Sequence, residues 1–134
     1  MSKLSATLPA QSAGGSTSVT TAGVWEPEHY QFDTIEQIIL LPPSGYSTVT
    51  GAATNNATIN FRQMRNVAGT NTVISTFATV TLAVGTNLVA EIPLSVAVTT
   101  QPVFQAGDVV DVQMVQNASG VAIGANVVAS VFVN

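Results

Sequence analysis

The chain has 134 residues, of which 7% are charged and 46% apolar, with a formal net charge of −4 and no cysteine. About 25% charged is usual, so this chain gives up most of its charge and fills the difference with Thr, Ser, Asn, Gln and Gly rather than with more hydrocarbon. That excludes a basic patch for phosphate recognition and a disulfide framework, and no apolar run is long enough to span a bilayer.

Residues 1–23, "MSKLSATLPAQSAGGSTSVTTAG", are almost all small or hydroxylated. They hold too little apolar area to offset ordering entropy. A flexible N-terminal arm is expected there, and no signal-peptide core is visible. Order is expected from residue 24 onward, through 134, as one domain. In "VWEPEHYQF", Trp25, His29 and Phe32 keep no single phase, and Pro27 suits an edge. In "TIEQIILLPP", Ile35, Ile39 and Leu41 fall on one strand face and Ile38 and Leu40 on the other, and the proline pair ends the strand. A short strand is expected near Tyr46–Thr50. "ATINFRQMRN" alternates, with Ile59 and Phe61 against Asn60 and Arg62. "VAGTN" turns the chain. "TVISTFATVTLAV" places Ile74, Ala78, Val80, Leu82 and Val84 in one phase. "LVAEIPLSVAV" is a strand interrupted at Pro93. "VVDVQMVQ" sets Val110, Val112 and Met114 against Asp111 and Gln113, and "VVASVFVN" closes with Val127, Ala129, Val131 and Val133 in phase.

Seven to eight strands at regular spacing, with no helical period, predict an all-β fold: an antiparallel β-sandwich, jelly-roll-like. Several strands carry hydrocarbon on both faces, whereas an antiparallel sheet normally keeps one face wet. Self-association is the simplest way to cover the second face. Ile39, Leu41, Val110, Val112, Met114, Val131 and Phe132 are the residues expected at oligomer or core faces.

Catalytic chemistry is poorly supplied. His29 is the single histidine, and no serine sits in a nucleophile elbow. Glu26 with Glu28, and Asp108 with Asp111, are carboxylate pairs of the kind that hydrolyse glycosides or bind calcium. Simple turn chemistry at "AGD" and a solvated outward Asp111 are the plainer expectation. No metal or cofactor motif is present, so a non-enzymatic role without cofactors is expected. If their strand is regular, Arg62 and Arg65 point to opposite faces, one pairing with Glu or Asp within the fold and the other meeting an acidic partner; two solvated strand residues are the plainer alternative.

The stretch from "ATINFRQMRN" through "TLAVGTNL" and "AGDVVDV" to "GVAIGANVVASVFVN" resembles the small capsid decoration and minor structural proteins of tailed bacteriophages, over roughly residues 35–134. The resemblance implies a jelly-roll-like sandwich on the outside of a virion, assembled in the host cytoplasm. It further implies a homotrimer that clamps the major capsid protein, without nucleic acid or membrane partners. The arm would then lie on the shell, making Lys3, Leu4, Leu8, Arg62 and Arg65 candidate capsid contacts. The competing expectation is a carbohydrate- or cell-surface-binding module using Trp25, Tyr30 and Tyr46 as an aromatic platform.

Overall fold

A computed structural model describes residues 2–25 and 34–134. The described residues form eight strands and no helix: β1 (Ser2–Leu8), β2 (Ser18–Val24), β3 (Ile35–Leu41), β4 (Asn56–Val67), β5 (Thr70–Thr81), β6 (Leu94–Val96), β7 (Val109–Asn117) and β8 (Val127–Val133). They make two four-stranded sheets, in the orders β1-β8-β3-β6 and β2-β7-β4-β5. Every pairing is antiparallel. The all-β sandwich expected from alternation is what the chain forms.

The flexible arm is not. Residues 2–8 pair with all of β8, in unbroken register from Ser2 opposite Val133 to Leu8 opposite Val127. Residues 18–24 pair with β7. Leu4, Ala6 and Leu8 alternate into the core while Lys3, Ser5 and Thr7 face out. Backbone pairing orders this segment: each strand completes a sheet edge and adds a modest apolar stripe to a core already made by others. The domain therefore begins with β1, not at residue 24.

Between the sheets lie Ile38, Leu40, Ile59, Phe61, Val112, Met114 and Val131, each essentially closed to water. Thus Val110, Val112, Met114 and Val131 belong to the core of the single chain. β8 alternates between buried and half-buried residues along its whole length. Its second face, with Val128 and Phe132, is only half covered, as is Ile39, and Leu41 is 42% exposed.

Two expected phases break. β5 carries extra residues opposite Phe61–Arg62 and Gln63–Met64 of β4. These bulges turn Phe77 and Ala78 both inward and leave Ile74 outside, since each extra residue moves the following side chains to the other face. The expected strand at Tyr46–Thr50 shrinks to a bridge between Val49 and Leu88. The strand around Pro93 is reduced to the three residues of β6.

Beside that bridge, the Gly51 N–H donates to Asn87 Oδ1 at 2.7 Å. A Cβ on Gly51 would lie 1.8 Å from the Ala83 carbonyl oxygen and 2.4 Å from that of Thr86. Both obstacles are backbone, so relief requires pulling two turns apart. Gly51→Ala is expected to cost about 3 kcal/mol, at the upper end of overpacking. Urea unfolding checks this, and a loss below 0.5 kcal/mol would mean the two turns are not held together as described.

Candidate interaction surfaces

Three regions of the surface differ from the rest. The first is the β4–β5 hairpin. β4 pairs with β7 only as far as Met64 opposite Val109. Beyond that point β4 and β5 continue pairing with each other to Val67 opposite Thr70. The turn holds Ala68 at φ 51° and Gly69 at φ 85°, two left-handed residues in succession, the geometry that matches strand twist in a two-residue hairpin. The Gly69 N–H donates to Asn66 Oδ1 at 2.8 Å. A free two-stranded ribbon is marginal in water, so this one needs a root.

The root is Asp108. Arg65 Nε donates to Asp108 Oδ1 at 2.8 Å and Arg65 Nη2 to Oδ2 at 2.9 Å. Gln63 Nε2 donates to Oδ2 at 2.8 Å, and the Gln105 N–H to the same oxygen at 2.9 Å. Gln63 also donates to the Val103 carbonyl and accepts from Ser75 Oγ. Burial alone would raise the Asp108 pKa, but the bonds from Arg65, Gln105 and Gln63 outweigh it and hold the carboxyl below the usual carboxylate range. Asp108 thus ties the hairpin to the loop 97–108. Val67 on the free part of the hairpin, and Val73 and Ile74 at its root opposite Gln63–Met64, stay exposed.

The second region is the outer face of the β2-β7-β4-β5 sheet, where polar side chains bond to one another. Asn60 Nδ2 donates to Gln113 Oε1 and accepts on Oδ1 from Thr79 Oγ1, both at 2.9 Å. Asn117 donates to Thr58, which also bonds Thr81. Arg62 clasps Asp111 with two bonds, of 2.8 and 2.9 Å. Asp111 is therefore a largely buried partner, not the solvated residue expected. Both in-fold arginines are held by aspartates within the chain, so neither is offered to an acidic partner. Bidentate pairs of this kind are strongly oriented.

The third region is a cleft on the outer face of the β1-β8-β3-β6 sheet, lined by Leu41, Pro42, Pro43, Ser44, Glu91, Asn126 and Val128. The Glu91 N–H donates to the Pro42 carbonyl at 3.0 Å, and the Asn126 N–H to that of Leu8 at 2.9 Å. Glu91 (φ 59°) and Asn126 (φ 74°) are both left-handed. For a non-glycine residue that conformation costs about 1–3 kcal/mol and persists where the surroundings impose it.

The sequence-derived candidates divide accordingly. Leu4 and Leu8 are core residues, and Arg62 and Arg65 are in internal ion pairs. Lys3 is exposed. Ile39, Leu41 and Phe132 flank or line the outer face bearing the cleft. His29, Tyr30, Phe32 and the Glu26–Glu28 pair lie outside the described residues. Trp25 is buried, stacked on Phe104 at 4.0 Å and 7°, so it is not a platform for a sugar. Tyr46 is half-buried, with its hydroxyl bonded to Gly124. Among the described residues no three His, Asp or Glu side chains group as metal ligands.

No family model matches the sequence, and neither a curated protein nor a solved structure matches it.

Proposed function

We propose that this chain is a non-enzymatic structural protein that binds the outside of a phage capsid as a homo-oligomer, expected to be a trimer, and stabilises contacts between capsomers. The pairing of β1 with β8, β2 with β7, β3 with β6 and β4 with β5 is how a jelly roll folds its ribbon, and we infer that topology. The observation that carries the functional reading is an exposed apolar strip at the hairpin: Val67 (47% exposed) on the braced ribbon beyond the sheet, and Val73 (45%) and Ile74 (39%) at its root on the edge strand β5. Apolar side chains on a projecting element and at its root suit insertion against a neighbouring subunit. The sequence resemblance supplies the class of neighbour. With both in-fold arginines held by aspartates, nucleic acid is a poor alternative partner.

Light scattering of the purified chain tests the assembly. Wild type is expected at trimer mass, and Val67→Ser/Val73→Ser/Ile74→Ser at monomer mass with thermal stability nearly unchanged, because exposed substitutions cost little. Co-sedimentation with empty capsids of the same virus tests the docking. A wild-type monomer that does not sediment with capsids overturns the reading.

A further inference from the structure

We propose that the cleft between the end of β3 and the start of β8 receives a lysine or arginine side chain of the partner protein. This deepens the docking function proposed above and rests on it. Across the structure, polar side chains bond to one another: Asn60 with Gln113, Asn117 with Thr58, Arg62 with Asp111, and Gln11 with Gln116. In the cleft they do not. The exposed Ser44 hydroxyl, Glu91 carboxylate and Asn126 amide line it with no side-chain partner and meet only water, above an aliphatic floor of Leu41, Pro43 and Val128. A mostly apolar trough with a few convergent polar groups is the usual form of a recognition pocket. Two of those three residues, Glu91 and Asn126, are held in left-handed backbone by the bonds to Pro42 and Leu8, so their position is fixed in advance of any ligand.

Charge selects the occupant. The chain carries a net charge of −4, and both arginines of the sheet face their own aspartates. Among the described residues Lys3 is the one lysine or arginine outside an ion pair, and it stands at the opposite end of the same sheet. Glu91 therefore has no cation beside it among the described residues. A basic side chain satisfies each part of the cleft: its alkyl stem lies on Leu41 and Val128, and its charged head meets Glu91 and the Asn126 carbonyl oxygen. A second copy stacked on this face is less suited. Three strands of seven residues and one of three present roughly 380 Å². That buries only about 760 Å² over both partners, below the range of stable interfaces.

The test is a titration of the ¹⁵N-labelled chain, followed by amide shifts. The probes are N-acetyl-arginine amide, N-acetyl-lysine amide, uncharged N-acetyl-norleucine amide and a methyl glucoside. The basic probes are expected to give saturable shifts at Glu91, Asn126 and Val128, about fivefold weaker in Glu91→Gln, the scale of one exposed ion pair. Equal binding of the norleucine probe, saturation by the glucoside alone, or no shift at these residues overturns the proposal. Capsid co-sedimentation separates the two readings. If wild type and Glu91→Gln sediment equally, this inference fails and the docking function stands. If wild type does not sediment while the basic probes still bind, the docking function fails and the cleft keeps its ligand class.

Discussion

Replacing Asp108 with alanine is expected to remove about 3 kcal/mol of stability and to loosen the β4–β5 hairpin at its root. The carboxylate is nearly closed to water and accepts from Arg65, Gln63 and the Gln105 N–H. Its removal strands one N–H of the buried Gln63 amide and the Gln105 N–H, and it leaves Arg65 without a counter-charge. Breaking a buried pair from one side costs about 3–5 kcal/mol. The lower figure applies here because Arg65 keeps 27% of its side chain exposed and can be rehydrated. Urea unfolding should show the midpoint falling at an unchanged slope. Hydrogen exchange should quicken in residues 65–72 more than in β8. If the loss is under 1 kcal/mol, the cluster does not brace the hairpin. The same carboxylate sets an acid dependence. Its folded pKa is depressed, so its contribution is complete above the unfolded value near 4 and is lost as pH falls through the folded value. Asp108→Asn should flatten the decline in stability below about pH 4.

Phe104→Ala should cost more, about 4 kcal/mol, in the range for a buried aromatic cut to a methyl. Phe104 has 1% of its surface exposed. It stacks flat on Trp25 and meets Phe77 edge-on at 6.0 Å and 74°. It is the point at which the loop 97–108, rich in exposed residues, enters the core. Truncation opens a cavity between the two sheets and frees the segment that presents Asp108 to Arg65. Trp25 is the single tryptophan, so its emission reports the change directly. A red shift in the folded state and a lowered urea midpoint are expected, with Phe104→Leu intermediate. Unaltered emission would contradict the stacking.

The sandwich was legible because β3, β4, β7 and β8 carry strong alternating patterns and glycine- or asparagine-marked turns separate them. β1 and β2 were missed for a physical reason. Leu4, Ala6 and Leu8 do alternate, but small side chains give a weak signal, and the ordering comes from pairing with a strand far along the chain. No local window displays that. The bulges of β5 likewise follow from fitting the turn-bound hairpin against β7, which periodicity cannot foresee. An in-fold acidic partner for one arginine was expected, but a signal naming the partners of both was available and not used. Arg62 and Arg65 are spaced as Asp111 and Asp108 are, in reverse order. In antiparallel neighbours that spacing brings the first of each pair together and the second likewise, and β4 and β7 are so registered. The cleft lay beyond sequence reasoning, since its residues come from three separated segments.

The nested pairing of the strands carries a consequence for biosynthesis. β1 and β2 leave the ribosome before the other six strands, yet their partners β8 and β7 are made after the rest of the sandwich. At about 5–20 residues per second, the opening segment waits several seconds with an unpaired backbone. A valine- and isoleucine-rich ribbon left open for that interval would recruit other nascent chains. Serine, threonine, alanine and glycine make a strand that tolerates delay, and the plain composition of the first two dozen residues suits a piece that is added after the others have closed.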